Sequence, residues 1–112
     1  MGPHVSLVTR GTSRRLAPEV ELAAYRIVQE ALTNVVKHAD ADTASVALDW
    51  RKAELLITIL DDGSSAPTAS RLPGGGNGLL GIRERAAACG GSARFGPGPG
   101  ARGFQVSVRL PA

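Results

Sequence analysis

Ala44-Ser45-Val46-Ala47-Leu48-Asp49-Trp50-Arg51-Lys52-Ala53-Glu54-Leu55-Leu56-Ile57-Thr58-Ile59-Leu60 is the stretch that decides the fold. Its first half alternates, with Val46, Leu48 and Trp50 on one face. Arg51-Lys52-Ala53 turns the chain. The second half, Glu54 to Leu60, is nearly all apolar and predicts a central strand covered on both faces. Together they read as a hairpin. A long helical pattern lies immediately upstream, so a hairpin follows a helix. A doubly wound nucleotide-binding fold would instead alternate single strands with helices.

Upstream, Val5 to Thr9 predicts a short strand, and Gly11 to Arg15 a turn. Pro18 suits the first position of a helix, where its missing N–H costs nothing. Glu19 and Glu21 follow in the first turn, where the helix dipole favours acids. The helix is expected from Pro18 to Ala39. Tyr25, Val28, Leu32, Val35, Val36 and Ala39 form its apolar stripe. Downstream, Asp61 to Asn77 reads as loop, with a Gly74-Gly75-Gly76 run. A second helix is expected over Leu79 to Cys89, stopped by Gly90-Gly91. Ser92 to Phe95 is a short strand candidate. Phe104, Val106, Val108 and Leu110 alternate with polar residues as a half-buried last strand. This order predicts an α+β fold, a two-layer α/β sandwich. Its mixed, mostly antiparallel sheet carries helices on one face.

Composition sets the outer bounds. At 112 residues the chain makes one domain, residues 1–112. Aromatics are only 4%, so Val, Leu, Ile and Ala must fill the core. The net charge of +3 is spread over scattered arginines with no run longer than Arg14-Arg15. No aromatic residues interleave with them, which argues against nucleic acid as a partner. Cys89 is the one cysteine, so no internal disulfide forms. It reads as a small residue near the core. No apolar run approaches the ~18 residues a membrane span needs, and no signal peptide is visible. The expected location is cytoplasmic, with no membrane contact by this segment. The two histidines, His4 and His38, are too isolated to suggest a metal site.

Three elements carry candidate chemistry. Glu30, Asn34, Lys37 and His38 gather on one helical stripe, opposite the apolar one. A carboxylate can act as a general base, an amide oxygen can ligate Mg²⁺, and a lysine can meet phosphate. Ala23 and Ile27 extend that stripe toward the N-terminus, which is odd for a face meant only for water. Asp61-Asp62-Gly63 follows the most apolar strand. A carboxylate there can accept a hydrogen bond from an adenine amino group, and the glycine lets the base approach. A plain Asp-Gly turn would look the same. Gly74-Gly75-Gly76-Asn77-Gly78 runs into the second helix, where backbone N–H groups can face phosphate. No Gly-Lys-Ser/Thr follows, so it is not a Walker A loop.

In this order the three elements resemble the N, G1 and G2 boxes of the GHKL ATPase superfamily. Tyr25 to Ala39 is similar to the N box of sensor histidine kinases of the NarX/DesK/LiaS type. Gly78-Leu79-Leu80-Gly81-Ile82-Arg83-Glu84-Arg85 resembles their G2 box and the helix after it. Gly103 to Pro111 is similar to their last strand. The resemblance covers Val5 to Pro111 and implies a Bergerat fold. It implies Glu30 as the acidic residue that polarises the attacking group or orients the site. Asn34 would ligate Mg²⁺ on the ATP phosphates, and Lys37 and His38 would contact phosphate. Asp61 would bind the adenine amino group beside Gly63, with Asp62 at the variable position. Gly76, Gly78, Leu79 and Gly81 would complete the ATP site. Two positions depart from the pattern. Ser65 stands where G1 usually has a second glycine, and Phe104 where the last strand often opens with threonine.

The resemblance implies a domain that binds Mg·ATP and supplies the γ-phosphoryl group for histidine autophosphorylation in two-component signalling. The acceptor would lie on a helical hairpin of the same kinase that has no counterpart in this chain, with a response regulator downstream. A lone piece of this kind is expected to be monomeric. Two alternatives stay open: a stand-alone anti-sigma-factor serine kinase, and a degenerate module used only for protein interaction.

Overall fold

Pro18 opens the long helix, as its fixed φ allows. The carbonyl of Ala17 accepts the N–H groups of Val20 (3.0 Å) and Glu21 (2.9 Å), so Ala17 caps the first turn. In the computed structural model, which describes residues 4–38, 41–63 and 77–112, the elements follow the expected order. They are β1 (His4–Arg10), α1 (Pro18–His38), β2 (Thr43–Trp50), β3 (Glu54–Asp61), α2 (Asn77–Ala88), β4 (Ser92–Pro97) and β5 (Phe104–Pro111). A 3₁₀ turn, Pro99–Ala101, joins the last two strands. The expected loop around Ser65, the Gly74-Gly75-Gly76 run and Ala39 lie outside the described residues.

The sheet runs β1-β2-β3-β5-β4. Only β1 and β2 pair in parallel; the other neighbours are antiparallel. A helix between β1 and β2 permits the parallel pair; short connections join β2 to β3 and β4 to β5, whereas β3 and β5 pair across the intervening α2 and β4. Both helices pack on one face, α1 across β2, β3 and β5, and α2 across β4 and β5. The mixed two-layer sandwich expected from the element order is therefore the observed fold. Gly90 ends α2 at φ +87. Gly91 N–H reaches Ala86 O at 2.8 Å, and Gly90 N–H reaches Ala87 O at 3.1 Å. This is the two-bond stop that a glycine in the left-handed region allows.

Two expectations fail. The strand from Glu54 is the middle strand, but it is not covered on both faces. Leu55, Ile57, Ile59 and Asp61 are buried, while Leu56, Thr58 and Leu60 are only half-buried. With both helices on one side, nothing among the described residues covers the other face. The second correction concerns α1. Tyr25 is 64% exposed and Val36 65% exposed, although both belong to the expected apolar stripe. The buried line is instead Val20, Ile27, Ala31 and Val35. It falls between the bulky apolar stripe and the polar stripe. Small residues are the reason. Ala23, Ala24 and Ala31 let the helix approach the sheet closely, so the buried face is the one with little side chain to see in the sequence.

The core joins Val20, Ile27 and Ala31 of this line to Val46, Leu55, Ile57, Ile59, Phe104, Val106, Val108 and Leu110 of the sheet, and to Leu79, Ile82 and Ala86 of α2. The corrected orientation has a direct test. Ile27→Ala should cost about 2–5 kcal/mol, as a fully buried large-to-small change does. Tyr25→Ala should stay within about 0.5 kcal/mol, as exposed substitutions do. Urea unfolding of the two variants measures both, and equal losses would return Tyr25 to the core.

Candidate functional site

β3 delivers Asp61 to the end of the sheet, in register with Ala44 of β2 and Phe104 of β5. These three residues share the core face. Asp61 is only 4% exposed, the one buried charged residue among the described ones. Its Oδ1 accepts the N–H of Gly63 at 2.9 Å. Gly63 is itself buried, so the chain turns tightly behind the carboxylate. Gly103 stands on the other side with φ +65, and a side chain there would collide with the Asp61 carbonyl oxygen. Glycine is required at that position for its conformation and for its lack of a side chain.

Asp62 does different work. Its Oδ1 accepts two N–H groups, from Asp42 and from Thr43, each at 2.9 Å. The carboxylate thereby ties the exit of β3 to the entry of β2. The hydrogen bond from the Thr43 N–H is the chief reason its pKa lies below the ordinary carboxylate value; some desolvation opposes it. In the family pattern Asp62 falls at the variable position, which carries no role of its own. The signal, an acid next to the buried one, was present but had no partner to point to.

α1 brings Asn34 to the same end of the sheet. Asn34 is half-buried, and among the described residues its buried Nδ2 has no hydrogen-bond partner. Asn34 and Asp61 both line a small cavity of about 10 Å³, with Ala31, Leu79, Phe104 and Val106 among its walls. Here a buried acceptor and an unused donor share an apolar hole. Ala31 and Val106 could not be recognised from the sequence as walls of a site, because each also has an ordinary place in the core.

The other expected residues divide. Glu30 is half-buried one turn before Asn34, on the same side of α1, but it does not line the cavity. Lys37 is exposed. The His38 side chain and Gly76 lie outside the described residues. Gly78 falls in the first turn of α2. Leu79 is 2% exposed and forms a cavity wall. Gly81 is half-buried in α2, and a Cβ added there would meet no described residue within 4 Å. Arg83 lies over the Phe95 ring at 5.1 Å, a cation–π contact. Cys89 is half-buried just past α2, and burial pushes its thiol pKa up, which makes it a poor nucleophile. No group of three His, Cys, Asp or Glu side chains gathers among the described residues. No helix among them is long and apolar enough to cross a membrane.

This geometry has relatives. Residues 19–112 match the family described as histidine kinase-, DNA gyrase B- and HSP90-like ATPases. The sensor histidine kinase YxjM of Bacillus subtilis (strain 168) is 40% identical over 111 residues, covering 98% of this chain and 26% of that protein. The signal transduction histidine-protein kinase/phosphatase UhpB of Salmonella typhimurium is 39% identical over 97 residues, covering 86% of this chain and 18% of that protein. Among solved structures, the ATP-binding domain of PrrB from Mycobacterium tuberculosis superposes with a TM-score of 0.76 at 26% identity. The superposition covers 98% of this chain and 80% of that one. The chain belongs to this ATPase family. Within it, the chain is an ATP-binding catalytic domain of the sensor histidine kinase kind. It spans about a quarter of the length of YxjM (26%) and less of UhpB (18%).

The tie made by Asp62 has a signed pH dependence. A carboxylate with a lowered folded pKa stabilises the fold above its unfolded value, and that gain is lost as pH falls through the folded value. Asp62→Ala should therefore unfold at a lower temperature than wild type at neutral pH. The gap should stand in full above 3.8, the ordinary value, and close as pH falls below it. Thermal unfolding across that range measures it. A gap that does not change with pH would assign the loss to packing rather than to charge.

Proposed function

We propose that the Asp61 carboxylate receives the adenine amino group of ATP and that Asn34 lies between the base and the phosphates. One observation carries this reading: Asp61 and Asn34 line one cavity, the first a buried acceptor and the second with an unpartnered buried donor. A purine offers a donor to the first and an acceptor to the second. Apolar walls from Ala31, Leu79 and Val106 suit its faces. The Gly63 N–H donates to the carboxylate and Gly103 packs against the Asp61 backbone, and together they hold the carboxylate in place.

Mg²⁺ fits as a metal that arrives on the phosphates. It takes one or two protein oxygens and keeps several waters, so a cluster of acids is not required. The Asn34 amide oxygen would be the ligand, and the ion would supply charge neutralisation on the phosphates when bound. Glu30, one turn earlier on the same side of α1, would orient or polarise the attacking group. Lys37 is exposed and free to reach phosphate, with His38 beside it in sequence. Gly76, Gly78 and Gly81 would shape the phosphate side, where side chains would intrude. Leu79 holds the start of α2 against the base.

The chemistry follows from position. Phosphoryl transfer asks a protein mainly for alignment and charge stabilisation. The γ-phosphoryl group would pass to a histidine on a helical hairpin of the parent kinase, and from there to a response regulator. The parent would keep this domain in the cytoplasm, and this domain alone would be monomeric with little turnover. Two alternatives, an anti-sigma-factor serine kinase and a degenerate interaction module, find less support. The relatives at 39% and 40% identity are named as histidine kinases, and Glu30, Asn34 and Asp61 are intact.

Two measurements test this. Calorimetric titration with ATP and Mg²⁺ should show saturable binding to the wild type and none to Asp61→Asn. Equal binding by the two would remove Asp61 from the base site. Gly81→Ala separates function from stability. The new methyl meets open space and helix propensity improves, so the fold should gain up to about 1 kcal/mol. ATP affinity should fall, because that space is kept for phosphate. A stabilised variant with unchanged affinity would take Gly81 out of the site.

A further inference from the structure

Phe104 is the cross-strand partner of Asp61 and lies on the same face of the sheet. It is 5% exposed and forms part of the core. It also lines the cavity that Asp61 and Asn34 share. That cavity measures about 10 Å³, close to the lower limit for one water molecule. Pockets that hold small organic ligands run to roughly 300–1,000 Å³. The base site proposed above therefore has its polar groups in place but lacks its volume.

Among the described walls the missing volume can come from few places. Ala31 has nothing to retract, and Leu79 is 2% exposed and tied into the core at the start of α2. Val35, Ile59 and Val106 are short β-branched side chains, stiff about their first bond and fixed to α1 or the central strands. Asp61 is held by Gly63 and Gly103. Phe104 is the largest wall, it stands directly beside the carboxylate, and it begins its strand. Two dihedrals move its whole ring.

We propose that the Phe104 ring occupies the place of the base beside Asp61, so that nucleotide enters only as the ring swings out, and Phe104 thereby sets the affinity of this domain for ATP. The inference rests on the proposed base site at Asp61. When only a fraction of molecules is competent to bind, the apparent dissociation constant rises by the inverse of that fraction. Shrinking residue 104 raises the competent fraction without touching either polar group. It also removes the need to expose a buried aromatic ring as the base is bound. Lys37 and Gly81, proposed for the phosphates, do not line this cavity, so phosphate contacts should not respond.

The test uses four proteins: wild type, Phe104→Leu, Phe104→Val and Asp61→Asn. Each is titrated by calorimetry with Mg·ATP and with Mg-tripolyphosphate, which carries the phosphates without a base. The dissociation constant for ATP should fall in the order Phe, Leu, Val, by about tenfold or more between the ends of the series. The constant for tripolyphosphate should change less than about twofold across the same series. Phe104→Leu nearly conserves volume and should fold even if Phe104→Val does not; it then decides alone by binding ATP more tightly than wild type. Folded variants that bind ATP no better than wild type would overturn the proposal while leaving the base site standing, provided Asp61→Asn still loses binding. An equal gain for tripolyphosphate would overturn it as well. If wild type and Asp61→Asn bind ATP equally, the base site fails and takes the proposal with it.

Discussion

A charged group held almost dry at the end of the middle strand is the constraint around which this end of the molecule is built. Burying a carboxylate is unfavourable unless hydrogen bonds replace its water. Asp61 is 4% exposed. The chain meets the demand locally: it turns straight after the strand, so that the Gly63 N–H points back at Oδ1. That turn needs holding too. The neighbouring carboxylate of Asp62 holds it by gripping the Asp42 and Thr43 N–H groups where β2 begins. Gly103 packs against the Asp61 backbone where no larger residue fits. One buried acid therefore dictates the residue types at 62, 63 and 103. The outcome is an acceptor whose position the protein itself fixes, the condition under which polar recognition is strongest.

The same logic explains the orientation of α1. Asn34 sits one position before Val35 and three after Ala31, both buried. At ~100° per residue that places it at the edge of the buried face, half in and half out. Turning the helix to bury Tyr25 and Val36 would swing Asn34 out of the cavity and into water. Exposure of two large apolar residues, 64% and 65%, accompanies an arrangement that aims an amide at the end of the sheet. The alanines make this possible. Burial of Ala31 contributes little by area, but its small size lets α1 lie close to β3 and β5, near enough for Asn34 and Asp61 to share one hole.

Much of this was legible from residue order alone. A hairpin straight after a helix, then a second helix and hairpin, dictated the two-layer sandwich. Pro18 and Gly90-Gly91 marked helix ends because each has a specific backbone reason to be there. Asp61 stood out as an acid following the most apolar strand. The face of α1 was misjudged because hydrophobic periodicity weights bulky residues, and here the contact face is made of alanine, one isoleucine and two valines. The same pattern held its own correction. Ala23 and Ile27 run into the polar stripe, which makes sense only if that stripe borders the core. The second face of β3 was misjudged for a different reason. Leu56 and Leu60 are apolar enough for burial, but no third layer among the described residues covers them. Asp62 and Gly103 were illegible because their roles depend on residues 20 and 42 positions away, Asp42 and Asp61.

The cavity between Asn34 and Asp61 is not a compartment apart from the core. Ile59, Leu79, Phe104 and Val106 belong to both. A residue in that position answers to two demands that conflict. The core favours a large apolar side chain packed to the density of a crystal, whereas a binding site favours space. At Phe104 the first demand has prevailed: the ring fills the end of the core next to the one buried acid. If the base binds beside Asp61 as proposed, nucleotide affinity and fold stability are not independent properties of this domain. Substitutions at its shared walls trade one against the other, as happens wherever a site is cut into a core.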